Sequence, residues 1–210
     1  SLVGSEMCIR DRNMKENINI EEKVVETLLR EDMLLTTAES CTGGMVAASI
    51  VNVSGASKVF HQGYITYCDE AKNSILGVRK ETLDKYKAVS AQTACEMALG
   101  ALKAAQADIA VSVTGVAGPS MEDGKPVGLV YIGIASDRTA QYKALDTYNW
   151  ADSIDGLACT SDDKTAVYKD NGKYVVVRKC MFNGSRADIR SAACKEALEL
   201  IYEYSSNVSK

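Results

Sequence analysis

Met33-Leu34-Leu35-Thr36-Thr37-Ala38-Glu39-Ser40-Cys41-Thr42-Gly43-Gly44-Met45-Val46-Ala47-Ala48 runs from an apolar segment, through a serine and two glycines, into a small-residue helical segment. A strand that turns on glycines into a helix lets the backbone approach a ligand closely. It also aims the unpaired N–H groups of the helix's first turn at that ligand. Ser40 at such a turn can be a nucleophile, with those N–H groups stabilising an oxyanion. The same geometry can bind a phosphate. It can also be a plain helix cap, because Ser and Thr are favoured there.

Working outward, residues 18–32 place Ile20, Val24, Val25, Leu28 and Leu29 on one helical face, so an amphipathic helix precedes the 33–38 strand. A helix over 43–52 follows the glycines, and the β-formers of 64–68 read as a strand. Residues 70–76 begin a helix that Gly77 stops, and 80–86 fit a short one. Ser90 caps a long helix to about Gln106. Residues 108–114 are a near-continuous apolar run, the mark of a strand covered on both faces. The glycine-rich loop Gly115-Val116-Ala117-Gly118-Pro119 comes directly after it, then a buried strand over 127–135. Asn171-Gly172 between 165–169 and 173–179 signals a hairpin. Residues 186–204 form a last amphipathic helix. This alternation predicts an α/β fold, a three-layer α/β/α sandwich with a mixed, mostly parallel sheet.

The bulk composition suits one domain of 210 residues, with 46% hydrophobic and 25% charged residues. A net charge of −4 argues against a broad nucleic-acid-binding surface. No apolar run is long enough to span a bilayer. Seven scattered cysteines with no C-x-x-C, and the single histidine His61, predict no metal site. They read as reduced thiols of a cytoplasmic protein. Residues 1–13 have neither helical nor strand periodicity and read as a non-native scar, with 14–210 as the domain.

In α/β sheets, ligands sit beyond the carboxyl ends of the strands. Three segments fall at such ends: 40–44, 67–72 and 114–119. If their strands are parallel, they meet in one cleft. There Ser40 offers a hydroxyl and Lys72 an amine. A lysine withdrawn from water can lose its proton and act as a base. Tyr67 can relay a proton or position the pair. Thr114 and Gly115 can hold a substrate polar group. Lys72 can equally be a solvated helix lysine, and Tyr67 a half-buried strand residue.

Six ordered stretches carry a family resemblance. They are Ala38-Glu39-Ser40-Cys41-Thr42-Gly43-Gly44, Gly63-Tyr64-Ile65-Thr66-Tyr67 with Glu70-Ala71-Lys72, Leu76-Gly77-Val78, Ala88-Val89-Ser90, Val113-Thr114-Gly115-Val116-Ala117-Gly118-Pro119, and Lys125-Pro126-Val127-Gly128. The chain resembles the C-terminal domain of the CinA competence/damage-inducible family, found also as a stand-alone nicotinamide-nucleotide amidase. The resemblance implies an α/β/α fold, a homodimer, no cofactor, and hydrolysis of nicotinamide mononucleotide to nicotinate mononucleotide and ammonia. It implies Ser40 as nucleophile, Lys72 as its base and Tyr67 assisting. Thr42, Gly43, Gly44, Thr114, Gly115, Gly118 and Arg186 are the expected substrate-binding set, with Arg186 or the 115–118 loop holding the phosphate. Larger relatives carry an additional N-terminal domain.

Three departures from the family pattern stand out. Ser120-Met121-Glu122-Asp123-Gly124 replaces a usual Gly-Gly pair. Ser185 replaces an aspartate before Arg186, which is expected to loosen that arginine. Residues 137–173 form an insertion, expected to be peripheral. A non-catalytic nucleotide-binding or interaction module, and a Ser-Lys hydrolase of another small amide, are the alternative readings.

Overall fold

The computed structural model of the chain describes residues 19–136, 157–159, 165–170 and 173–206. The segment read as a non-native scar, the Asn171-Gly172 turn and most of the expected insertion lie outside the described residues.

The chain opens on α1 (Ile20–Arg30). Its start is set by a capping box: Asn19 accepts from the Glu22 N–H while the Glu22 carboxylate accepts from the Asn19 N–H. Then come β1 (Leu35–Glu39), α2 (Met45–Val51), a 3-10 turn (Ala56–Lys58), β2 (Tyr64–Ile65), α3 (Asp69–Leu76), α4 (Lys80–Tyr86) and α5 (Ala91–Ala105). The second half holds β3 (Ile109–Gly115), β4 (Leu129–Ser136), β5 (Leu157–Cys159), β6 (Thr165–Asp170), β7 (Lys173–Met181) and α6 (Arg186–Ser206).

The seven strands form one sheet in the order β2-β1-β3-β4-β7-β6-β5. It is mixed, and its parallel part is the β2-β1-β3 half, whose connections run through helices. The pairings β3–β4, β4–β7, β7–β6 and β6–β5 are antiparallel, so "mostly parallel" describes only the half that carries the candidate cleft. The reason is local: the 116–128 connection contains no helix to carry the chain back for a parallel return, and β6–β7 is a hairpin. Strands β6 and β5, drawn from the expected insertion, lie at the end of the sheet opposite β2.

Alternate residues face the two sides of the sheet. Val111, Val113, Ile132 and Ile134 pack with α1, α2 and α6. Ala110, Ala135, Val175 and Val177 pack under α5, whose inner face is Ala94, Met97, Ala98 and Ala101. The three alanines let α5 sit close, and Ser112 Oγ donates to the Ala94 carbonyl at 2.6 Å. Helices α3 and α4 pack against α5 from outside. Gly100 on α5 permits the α3 contact, since a Cβ there would stand 1.9 Å from the Leu76 carbonyl oxygen. The result is a three-layer α/β/α sandwich. Among the described residues, no helix is long and apolar enough to cross a membrane.

Candidate active site

Strands β1 and β3 pair in register from Leu35↔Ile109 to Glu39↔Val113, and β1 and β2 pair through Ala38↔Tyr64 and Glu39↔Ile65. All three run the same way, so Ser40, Tyr67 and Thr114 emerge at one end of the sheet. They line a cavity of about 390 Å³ together with Lys72, Gly118 and Arg186. A larger hollow of about 630 Å³ lies among α3, α4 and α5, away from the strand ends, and the Arg79–Glu96 ion pair bridges it at 2.6 Å.

Lys72 is 1% exposed, an unusual state for a lysine. Its Nζ donates to Ser40 Oγ at 3.3 Å and to the Thr66 carbonyl at 3.1 Å. Asp69 Oδ1, one turn earlier on α3, stands 4.0 Å away. Burial pulls the Lys72 proton affinity below the ordinary lysine range, and Asp69 partly opposes that pull. Neighbouring Cys41 is no rival nucleophile: its thiol is buried, which pushes its pKa up to about 12.

The turn after Ser40 is held from two directions. Glu39 is wholly buried at the end of β1. Its carboxylate accepts from the Gly44 N–H at 2.9 Å, the Val46 N–H at 3.1 Å and the Ala47 N–H at 2.9 Å. It thus satisfies the orphan donors of α2 and neutralises the positive end of that helix from within the protein. Gly44 sits at φ 95°, a conformation open to glycine, and this turn needs it to bring its N–H to Glu39. From α6, Arg190 donates to the Cys41 carbonyl (Nε, 2.9 Å) and the Thr42 carbonyl (Nη2, 2.8 Å).

This arrangement corrects one sequence expectation. The Gly43 N–H goes to the Ser40 carbonyl at 3.0 Å and the Gly44 N–H to Glu39, so neither is left for an oxyanion. Thr42, Gly43 and Gly44 do not line the cavity; they shape the turn that presents Ser40. Thr114 does line it, but its hydroxyl donates to the Ala88 carbonyl at 2.8 Å. Tyr67 is exposed, and its hydroxyl accepts from Arg186 Nη2 at 2.7 Å instead of touching Ser40 or Lys72. Arg186 Nη1 donates to the Gly118 carbonyl at 2.6 Å, so the arginine closes the rim between two of the three segments.

Ser185 does not loosen Arg186. Its Oγ accepts from the Asp188 N–H at 3.3 Å, and Asp188 accepts from the Ser185 N–H at 2.9 Å and its hydroxyl at 2.7 Å. That reciprocal cap fixes the start of α6 and so the place from which Arg186 reaches out. Sequence reasoning assigned no role to Glu39 or Arg190. The available signals were a carboxylate inside an apolar strand just before a helix start, and an arginine one helical turn after Arg186. His61 is exposed and away from the cavity. Cys41, Cys95 and Cys194 are buried, Cys180 is half-buried and Cys68 is exposed. Among the described residues, no cluster of His, Cys, Asp and Glu is arranged to hold a metal ion.

A family model described as the CinA C-terminal domain matches residues 17–161. Over 187 residues the chain is 42% identical to a competence-damage inducible protein of Caldicellulosiruptor saccharolyticus, covering 89% of this chain and 37% of that one. Over 117 residues it is 56% identical to a CinA-like protein of Kosmotoga olearia, covering 55% and 28%. The chain therefore spans well under half the length of these curated relatives. Among solved structures, a competence-damaged protein (CinA) superfamily member from Klebsiella pneumoniae superposes with a TM-score of 0.69 at 28% identity, covering 91% of this chain and 100% of that one. A competence/damage inducible protein from Agrobacterium tumefaciens gives 0.68 at 32% identity, covering 90% and 96%.

Proposed function

Because the chain belongs to the CinA C-terminal domain family, we propose that it is an amidohydrolase that converts nicotinamide mononucleotide to nicotinate mononucleotide and ammonia, a step of pyridine nucleotide salvage. The observation that carries this reading is the 3.3 Å contact between a buried lysine amine and Ser40 Oγ, set in a cavity at the strand ends. A serine hydroxyl is a weak nucleophile until a base takes its proton, and a desolvated amine can be that base near neutral pH.

In the proposed sequence, neutral Lys72 takes the Ser40 proton as Oγ attacks the carboxamide carbon. The C–O bond forms and the carbonyl oxygen takes up the charge. That charge faces the ammonium that Lys72 has just become. On collapse the C–N bond breaks, Lys72 passes its proton to the departing nitrogen, and ammonia leaves. A water molecule then gives a proton to the same amine and attacks the acyl-serine, and Ser40 regains its proton as the acid departs. Arg186, with donors left after serving Tyr67 and Gly118, and the 115–118 loop hold the phosphate. A homodimer, with no cofactor, belongs to the same reading.

The test is ammonia release from nicotinamide mononucleotide by the purified protein. Ser40→Ala, a small change at a partly exposed site, should keep the fold and lower the rate by about a thousandfold or more. A wild-type rate no higher than that of Ser40→Ala overturns the reading.

A further inference from the structure

Between α4 and α5 the backbone makes a strained connection beside the cleft. Lys87 sits there at φ 67° and ψ 172°, a region that almost only glycine uses. Side chains hold every carbonyl from Tyr86 to Val89. Lys125 Nζ donates to the Tyr86 carbonyl at 2.7 Å and to the Val89 carbonyl. Thr93 Oγ1 donates to the Lys87 carbonyl at 2.8 Å, and Thr114 Oγ1 to the Ala88 carbonyl at 2.8 Å. Ala88 and Val89 line the cleft with Ser40 and Lys72, while Lys125 does not. Lys125 also closes a tight turn. Its N–H donates to the Glu122 carbonyl at 2.8 Å, the Glu122 N–H donates back at 3.3 Å, and Asp123 and Gly124 between them are at positive φ. Glu122 and Asp123 of that turn form another part of the cleft lining. Their carboxylates oppose the loss of the Lys125 charge that its partial burial favours.

We propose that Lys125 is a positioning residue: its ammonium ties the 120–125 loop to the strained 86–89 wall and so fixes two sides of the cleft before the substrate enters. This rests on the amidase reading and deepens it, since the cleft is the one in which Ser40 attacks. Backbone strain persists only where neighbouring groups over-determine it. Thr93 and Thr114 each fix one carbonyl, whereas Lys125 bridges the carbonyls on both sides of Lys87. Without the ammonium, Lys87 relaxes and carries Ala88 and Val89 with it, and the loop loses its anchor. A ligand must then reorder both sides, which costs affinity. The Lys72–Ser40 contact lies outside this tie, so the chemical step keeps its geometry.

The experiment measures kcat and KM for nicotinamide mononucleotide in the wild type, in Lys125→Met and in Lys125→Met/Lys87→Gly. Lys125→Met should raise KM about tenfold and leave kcat within about threefold. Adding Lys87→Gly lets the wall keep its path without strain, so KM should return to within about threefold of the wild type. A glycine would not repair a general loss of structure. An unmoved KM, a kcat that falls while KM holds, or a KM that the glycine fails to restore overturns the proposal. Circular dichroism checks folding, and Lys125→Gln carries the same comparison if Lys125→Met does not fold. In parallel, the nucleotide is titrated calorimetrically into Ser40→Ala and Ser40→Ala/Lys125→Met, where affinity should drop about tenfold. If that drop occurs while the wild type releases no ammonia, the amidase reading falls and the positioning role stands. If ammonia is released but KM and affinity ignore Lys125, only the positioning role falls. A nucleotide that neither binds nor turns over sinks both.

Discussion

Lys72 is pulled two ways. Burial favours its neutral form, while the Asp69 carboxylate at 4.0 Å favours the charged form. Cys68, Cys41 and Glu122 act in the same direction as Asp69. Asp69→Asn removes the nearest of these charges, so Lys72 should lose its proton at a lower pH. Because the base must be neutral to act, activity rises as pH climbs through the Lys72 pKa. The acid limb of kcat/KM against pH should therefore move to lower pH in Asp69→Asn, by about half a unit to one unit. A limb that stays put, or moves up, separates Lys72 from the base role. At this scale the pair itself was legible. Ser40 announced itself by its glycines, and Lys72 by falling after the second strand of a parallel set. The burial of Lys72 was not legible, because it depends on the tertiary arrangement that sets its amine against Ser40 and the Thr66 carbonyl.

The element that matters most for the site is the start of α2. Its first-turn N–H groups were expected to serve a ligand, and they serve Glu39 instead. Glu39→Ala would leave three donors without their acceptor in a dry setting, a loss of about 3 kcal/mol. For a chain of this size that lowers Tm by roughly 6–12 °C, measurable by thermal melting. A melt unchanged within a degree would mean that water replaces the carboxylate at no cost. Helix and strand positions were largely readable from periodicity: α1, α5 and α6 lie close to where their apolar repeats put them, and α5 begins at the Ser90 cap. What periodicity could not supply was the partner of each helix end. Glu39 and the N–H groups it accepts from are five to eight residues apart, across a turn whose path depends on the left-handed Gly44. The direction of β4 was likewise invisible in its own apolar run, since a buried strand looks the same whichever way it points.

Across the whole molecule, the cleft is assembled from both halves of the chain. The parallel half supplies Ser40, Tyr67, Lys72 and Thr114, and α6 supplies Arg186 and Arg190. Arg190→Ala removes the hold on the Cys41 and Thr42 carbonyls, and Arg190 does not itself line the cavity. We expect kcat to fall about tenfold with KM nearly unchanged, since the loss is in nucleophile placement and not in substrate contact. Steady-state kinetics checks this, and a rise in KM alone would instead mark Arg190 as part of substrate binding. The clasp on the nucleophile loop comes from 149 residues downstream. A ribosome therefore extrudes the serine long before the arginine that steadies it. A nascent chain halted before α6 would keep the Glu39 hold on the serine turn but lack the one from Arg190, so full catalytic competence should arrive late in translation.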